Sequence, residues 1–133
     1  MLHSYRLLRI KTASSFGTRS ETEPQIYDLY QRDERFLVVH SRVRDDGKRG
    51  RTTREVDSGE TASILEKLRR VQVPVAPDPV MGCDGGTTEL EIGAARFSWW
   101  SVPPDGWGEL DRLTYELVEL FDAAVEGNSR ELS

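Results

Sequence analysis

The chain has 133 residues, with 18 basic and 23 acidic side chains and a net charge of −5. That balance argues against general nucleic-acid binding, which needs a basic footprint. No apolar run reaches the roughly 18 residues that would suggest a membrane-crossing helix. A single cysteine, Cys83, excludes an internal disulfide.

These features point to a reduced, cytoplasmic protein of one domain, long enough to bury a core without a metal or a disulfide. The start, MLHSYRLLRIKT, carries charges within its apolar part and does not read as a signal peptide.

Residues 4–12 alternate as a strand, with Arg6, Leu8, Ile10 and Thr12 on one side and Tyr5, Leu7, Arg9 and Lys11 on the other. Neither side is cleanly apolar, which suits an edge strand. Residues 13–24 are polar and turn-rich, a loop. Residues 25–31 read as a strand, although Ile26, Leu29 and Tyr30 would also suit a helical turn. Residues 35–44 form a third strand, rich in β-branched and aromatic side chains. A loop through Gly47 and Gly50 turns the chain back into residues 51–57, giving a hairpin.

Asp57 is placed to cap a helix, with Glu60 three residues on. Ile64, Leu65, Leu68 and Val71 make its apolar stripe. Pro74, Pro77 and Pro79 then keep residues 73–81 extended. Residues 82–126 read as a hairpin-plus-helix block. Thr88, Leu90 and Ile92 alternate with Glu89 and Glu91. Gly93 to Ala95 is a turn, and residues 96–102 return as RFSWWSV. Pro103-Pro104 stops the strand. Asp105 is expected to cap a helix with Trp107, Leu110, Leu113, Leu117, Leu120, Phe121 and Ala124 on one stripe, and Gly127 to end it. Residues 127–133 are expected to be a flexible tail.

The expected fold is α+β, an antiparallel sheet of about five to six strands with two helices packed on one face. Trp99 and Trp100 are neighbours in a strand, so they point to opposite faces. One can sit under the helices while the other meets the open face.

Candidate chemistry is sparse. Asp84, in the run Cys83-Asp84-Gly85-Gly86, could act as an acid or base, with Cys83 as a thiol. No lysine or helix start follows the glycines, so this is no phosphate loop. His3 and His40 have no metal-ligand spacing, and neither a metal nor a cofactor is expected. Residues 42–54 carry six basic and two acidic side chains, a local excess of +4, whereas residues 105–131 carry eight acids and two bases. Arg42, Arg44 and Arg51 therefore mark a hairpin able to take an anion. Trp99, Trp100 and Trp107 could floor a site for a flat or apolar ligand.

The pattern Asp84-Gly85, Thr88-Glu89-Leu90, Trp99-Trp100, Pro103-Pro104 and Trp107 to Leu110 resembles that of small bacterial proteins of unknown function. The resemblance implies a bacterial cytosolic origin and transfers no catalytic residues. Gly86 departs from the pattern by lengthening the glycine turn.

The sequence thus favours a non-enzymatic interaction or ligand-binding domain that uses an aromatic sheet face. Its partner would be an unspecified protein or small molecule rather than nucleic acid or membrane, and its oligomeric state is open. The alternatives are an enzyme acting through the Cys83–Asp84 loop, with His40, or an anion binder built on the Arg42–Arg54 hairpin.

Overall fold

Alternation of apolar and polar side chains marks most of the six strands, and two stripes of helical period build two helices. The structure, a computed structural model, describes residues 4–14, 23–44, 46–78 and 85–131. In chain order the elements are β1 (Ser4–Ser14), β2 (Gln25–Arg32), β3 (Arg35–Val43), β4 (Arg49–Val56), α1 (Ser58–Arg70), β5 (Gly86–Ile92), β6 (Ala95–Trp100) and α2 (Gly108–Glu131). The strands form one antiparallel sheet in the order β4-β3-β2-β1-β5-β6. The α+β expectation holds, and residues 25–31 are strand.

β1 is not an edge strand. It lies between β2 and β5, near the middle of the sheet. Its mixed pattern has another cause. Leu8 and Ile10 face the helices and are fully buried. Arg9 and Lys11 face the opposite, open side, where neighbouring strands supply counter-charges. Arg9 grips Asp28 of β2 through Nε at 2.6 Å and a second nitrogen at 3.1 Å. A register shift between Arg6 and Leu8 turns Arg6 to that side too, 3.6 Å from Asp28. Across β5, Glu91 is paired with Arg9 and lies 3.7 Å from Arg96 of β6. Opposite charges therefore alternate along one cross-strand row, and a solvated face tolerates a central strand that is half charged.

α1 begins as its sequence requires. Asp57 Oδ2 accepts the Glu60 backbone N–H at 2.7 Å, satisfying one of the amides left open at a helix start. Thr61, Leu65 and Leu68 face inward, with Ile64 and Val71 partly covered beside them.

α2 starts later than expected and ends later. The chain first makes a turn in which the Trp107 N–H donates to the Pro104 carbonyl, and the Trp107 carbonyl then accepts the first helical bond, from Asp111. Trp107, not Asp105, thus stands at the cap position. At the other end α2 passes through Gly127 to Glu131. A helix-interior glycine costs about 1 kcal/mol and is no obligatory stop.

α2 spans the sheet. Trp99 of β6 donates its indole N–H to Asp111 near the start of the helix at 2.7 Å. Tyr27 of β2 donates its hydroxyl to Asp122, eleven residues further along. α2 packs on β4 and β3, and α1 packs on α2 and β3. Between helices and sheet, Leu113, Leu117 and Phe121 close over Leu8, Ile10, Leu29, Val38 and Leu90. No helix among the described residues is long and apolar enough to cross a membrane.

Candidate functional site

The three tryptophans separate. Trp99 and Trp100 do point to opposite faces, as their pairing with Thr88 and Thr87 requires. Trp99 is 5% exposed and Trp107 is 9% exposed. Their rings meet edge to face at 6.1 Å. Each indole N–H is already taken, that of Trp99 by Asp111 and that of Trp107 by the Pro74 carbonyl at 2.9 Å. Both are core anchors, the second pinning the connector after α1 to the start of α2. They cannot floor a ligand site, because neither a ring face nor a donor is left to offer. Only Trp100, half-buried, belongs to the open face.

Cys83, Asp84 and His3 lie outside the described residues. Gly85 and Gly86 follow as the entry to β5, where the Gly86 N–H donates to Ser101 Oγ at 2.6 Å. A shallow cavity of about 490 Å³ runs beside them, between β1, β5 and the end of β6, and reaches Gln25. Its described lining is hydroxyls, one amide and backbone, with no titratable group.

The structure brings His40 and the arginine hairpin together with residues that the sequence did not single out. Antiparallel register places Tyr27, His40 and Thr52 in one row across β2, β3 and β4, on the face covered by α2. The Tyr27 and His40 rings stack, with centroids 4.6 Å apart and planes inclined by 20°. Gln25 and Arg42 each sit one pleat further along that face. From above, α2 contributes Asp122 and Glu126, one turn apart. All of these except Tyr27, which lies buried beneath His40, line a cleft of about 650 Å³. A smaller cleft of about 300 Å³ adjoins it, sharing His40, Arg42 and Thr52 and bordered by Arg44 and Arg51.

The floor is a connected polar network. Tyr27 Oη donates to Asp122 Oδ1 at 2.8 Å and lies 3.3 Å from Gln25 Oε1. His40 Nε2 is 2.9 Å from the same Gln25 oxygen. The amide oxygen is an acceptor, so this nitrogen carries the hydrogen. Burial pushes the His40 imidazole below its ordinary range, with Arg42 adding to the effect and Asp122 opposing it. Burial also pushes the Asp122 carboxyl up, held back by the Tyr27 hydrogen bond and by His40. The Tyr27 phenol is driven well above its ordinary value, by burial first and then by the Asp122 charge. These shifts favour a neutral imidazole at His40 and a protonated phenol at Tyr27 beneath it.

The walls are charged and open. Arg42 on β3 and Glu126 on α2 are both exposed. Neither makes an ion pair or hydrogen bond with another described residue. Arg44 is partly occupied by Asp46 at 3.3 Å. Among the described residues no group of three or more histidine, cysteine, aspartate or glutamate side chains is placed to hold a metal.

Sequence reasoning identified His40, Arg42, Arg44 and Arg51 but missed Tyr27, Gln25, Asp122 and Glu126. The signal available for Asp122 was its position beside the apolar stripe of α2, next to Phe121. Neither a family model nor a curated protein sequence matches this chain.

Proposed function

We propose that the protein is a non-enzymatic binding domain for a small anionic molecule, taken up in the cleft between α2 and the β2–β3–β4 half of the sheet. The observation that carries this reading is the exposed Arg42 guanidinium in a 650 Å³ cleft that His40, Gln25 and Asp122 also line, with the buried Tyr27 beneath them. The volume is within the usual range of small-molecule sites, and the convergent polar and charged lining suits a charged ligand rather than an apolar one. Arg42 has no ion-pair partner among the described residues. A planar guanidinium in that condition suits a carboxylate or phosphate better than a lysine would. The floor groups are already bonded to one another, which favours holding a ligand over reacting with it.

Titration of the protein with acetate, succinate, citrate and inorganic phosphate, followed by NMR, tests the reading. The His40 and Arg42 side-chain resonances are expected to move with at least one of these anions. Arg42→Gln is expected to weaken that binding roughly tenfold, the loss of one charged hydrogen bond. If no anion moves the His40 signals, the cleft is not the binding site.

A further inference from the structure

The two walls of this cleft carry opposite charges. On the sheet side Arg42 projects from β3. On the helix side Asp122 and Glu126 project from one face of α2. Tyr27 feels both walls, Asp122 and Glu126 acting on its phenol in one direction and Arg42 in the other. Arg42 and Glu126 are exposed and long enough to swing, yet they form no ion pair with each other or with another described residue. Asp122 gives only Oδ1 to Tyr27, which leaves Oδ2 for another donor. A cleft that took anions alone would be poorly served by two carboxylates on its upper wall, because like charges disfavour occupancy.

We propose that the ligand of this cleft is a zwitterion of amino-acid type, its acidic group on Arg42 and its ammonium group between Asp122 and Glu126. The proposal rests on the reading of the cleft as a small-molecule site. An ammonium group brings three donors, and Asp122 Oδ2 with the Glu126 carboxylate supplies acceptors for them. It also relieves the carboxylates. Burial first, and Glu126 and Glu119 after it, push the Asp122 proton affinity up, and a bound cation offsets the repulsion from the two neighbouring carboxylates. Val125 gives the stem between the two charged ends an apolar neighbour, with the Gln25 amide and Thr52 hydroxyl beside it.

Isothermal titration with glycine, β-alanine, 4-aminobutyrate and 6-aminohexanoate, set against butyrate and butylamine, decides the matter. At least one of the amino acids is expected to bind roughly tenfold more tightly than either singly charged probe, the contribution of one added charge-assisted contact. Glu126→Gln is expected to abolish that advantage while leaving butyrate binding within about twofold. Arg42→Gln weakens the amino acid and butyrate alike. Both side chains are exposed, so neither substitution disturbs the core, and thermal melting of each variant checks this. If butyrate binds as tightly as every amino acid, or if Glu126→Gln leaves the preference intact, the second wall is not a subsite and the anion reading alone survives. If none of these probes binds, and none of the anions above does, both readings fall together.

Discussion

The Tyr27 hydroxyl donates to Asp122 Oδ1 at 2.8 Å, joining strand β2 to helix α2 across 95 positions of sequence. Asp122 lines the cleft, and the bond holds down a carboxyl that burial would otherwise raise further. Tyr27→Phe removes the donor and leaves a half-buried carboxylate short of a partner. The expected cost is about 1–3 kcal/mol in urea unfolding. The Asp122 titration, followed by carboxyl-carbon NMR, is expected to move further up in the variant. An unchanged titration would show that the bond does not form in solution.

His40 gives the fold a defined response to acid. Its imidazole is lowered in the folded state from an ordinary value of 6.5. Well above that pH it is neutral whether folded or unfolded and contributes no pH dependence. As pH falls through 6.5 the unfolded chain takes a proton that the fold resists, and stability declines until the lowered folded value is passed. Asp122 acts in the opposite sense, because its raised folded value lets the native state take a proton first as pH falls toward 3.8. Comparing wild type with His40→Gln separates the two. Between about pH 7.5 and about pH 5 the wild type is expected to lose stability relative to the variant. Parallel stability curves would contradict the assignment.

The adjacent indoles are predicted to behave very differently. Trp99→Ala opens a hole under α2 and strips Asp111 of a donor, with an expected cost of about 3–5 kcal/mol. Trp100→Ala removes a half-exposed ring from the open face and is expected to cost no more than about 1–2 kcal/mol. Chemical denaturation of the two variants should rank them in that order, and the reverse order would mean that the strand faces are exchanged.

Gly86 pairs with Ser14 where β5 passes β1. A methyl group there would run into the Ala13 carbonyl oxygen, which is backbone and cannot rotate aside. Gly86→Ala is therefore expected to destabilise by about 1–3 kcal/mol, with amide exchange of β5 accelerated before that of β3. Unchanged stability would show that the two strands lie further apart.

Thr61 in the first turn of α1 is fully buried, and its hydroxyl has no hydrogen-bond partner among the described residues. Valine keeps the shape and the helix propensity while discarding the polar atom. Thr61→Val is expected to raise stability by about 1 kcal/mol, seen as a higher urea midpoint at unchanged slope. A loss of stability would mean that the hydroxyl is satisfied.

The elements themselves were legible because each has its own local signal. Alternation marked β3, β5 and β6, and the stripe Leu110, Leu113, Leu117 and Phe121 marked α2. Asp57 with Glu60 fixed the start of α1. The errors fell where a local rule competes with a distant contact. β1 read as an edge strand because half its side chains are charged, yet Asp28 and Glu91 come from its two neighbours. Asp105 lost the cap to Trp107 because the turn after Pro103-Pro104 is held by a tryptophan that bonds to Pro74, 33 positions earlier.

By itself the sequence determined the secondary elements, the α+β class and the opposed directions of Trp99 and Trp100, since each depends on periods of two or 3.6 residues. It also showed an arginine-rich hairpin and an acidic last helix, but not that they face each other. Only the tertiary structure decided which indole is interior, and that His40, Arg42, Asp122 and Glu126 share one cleft above Tyr27. Strand order, cross-strand register and the line that α2 takes over the sheet set those encounters. All three follow from how the whole apolar surface is best buried, not from any stretch of neighbouring residues.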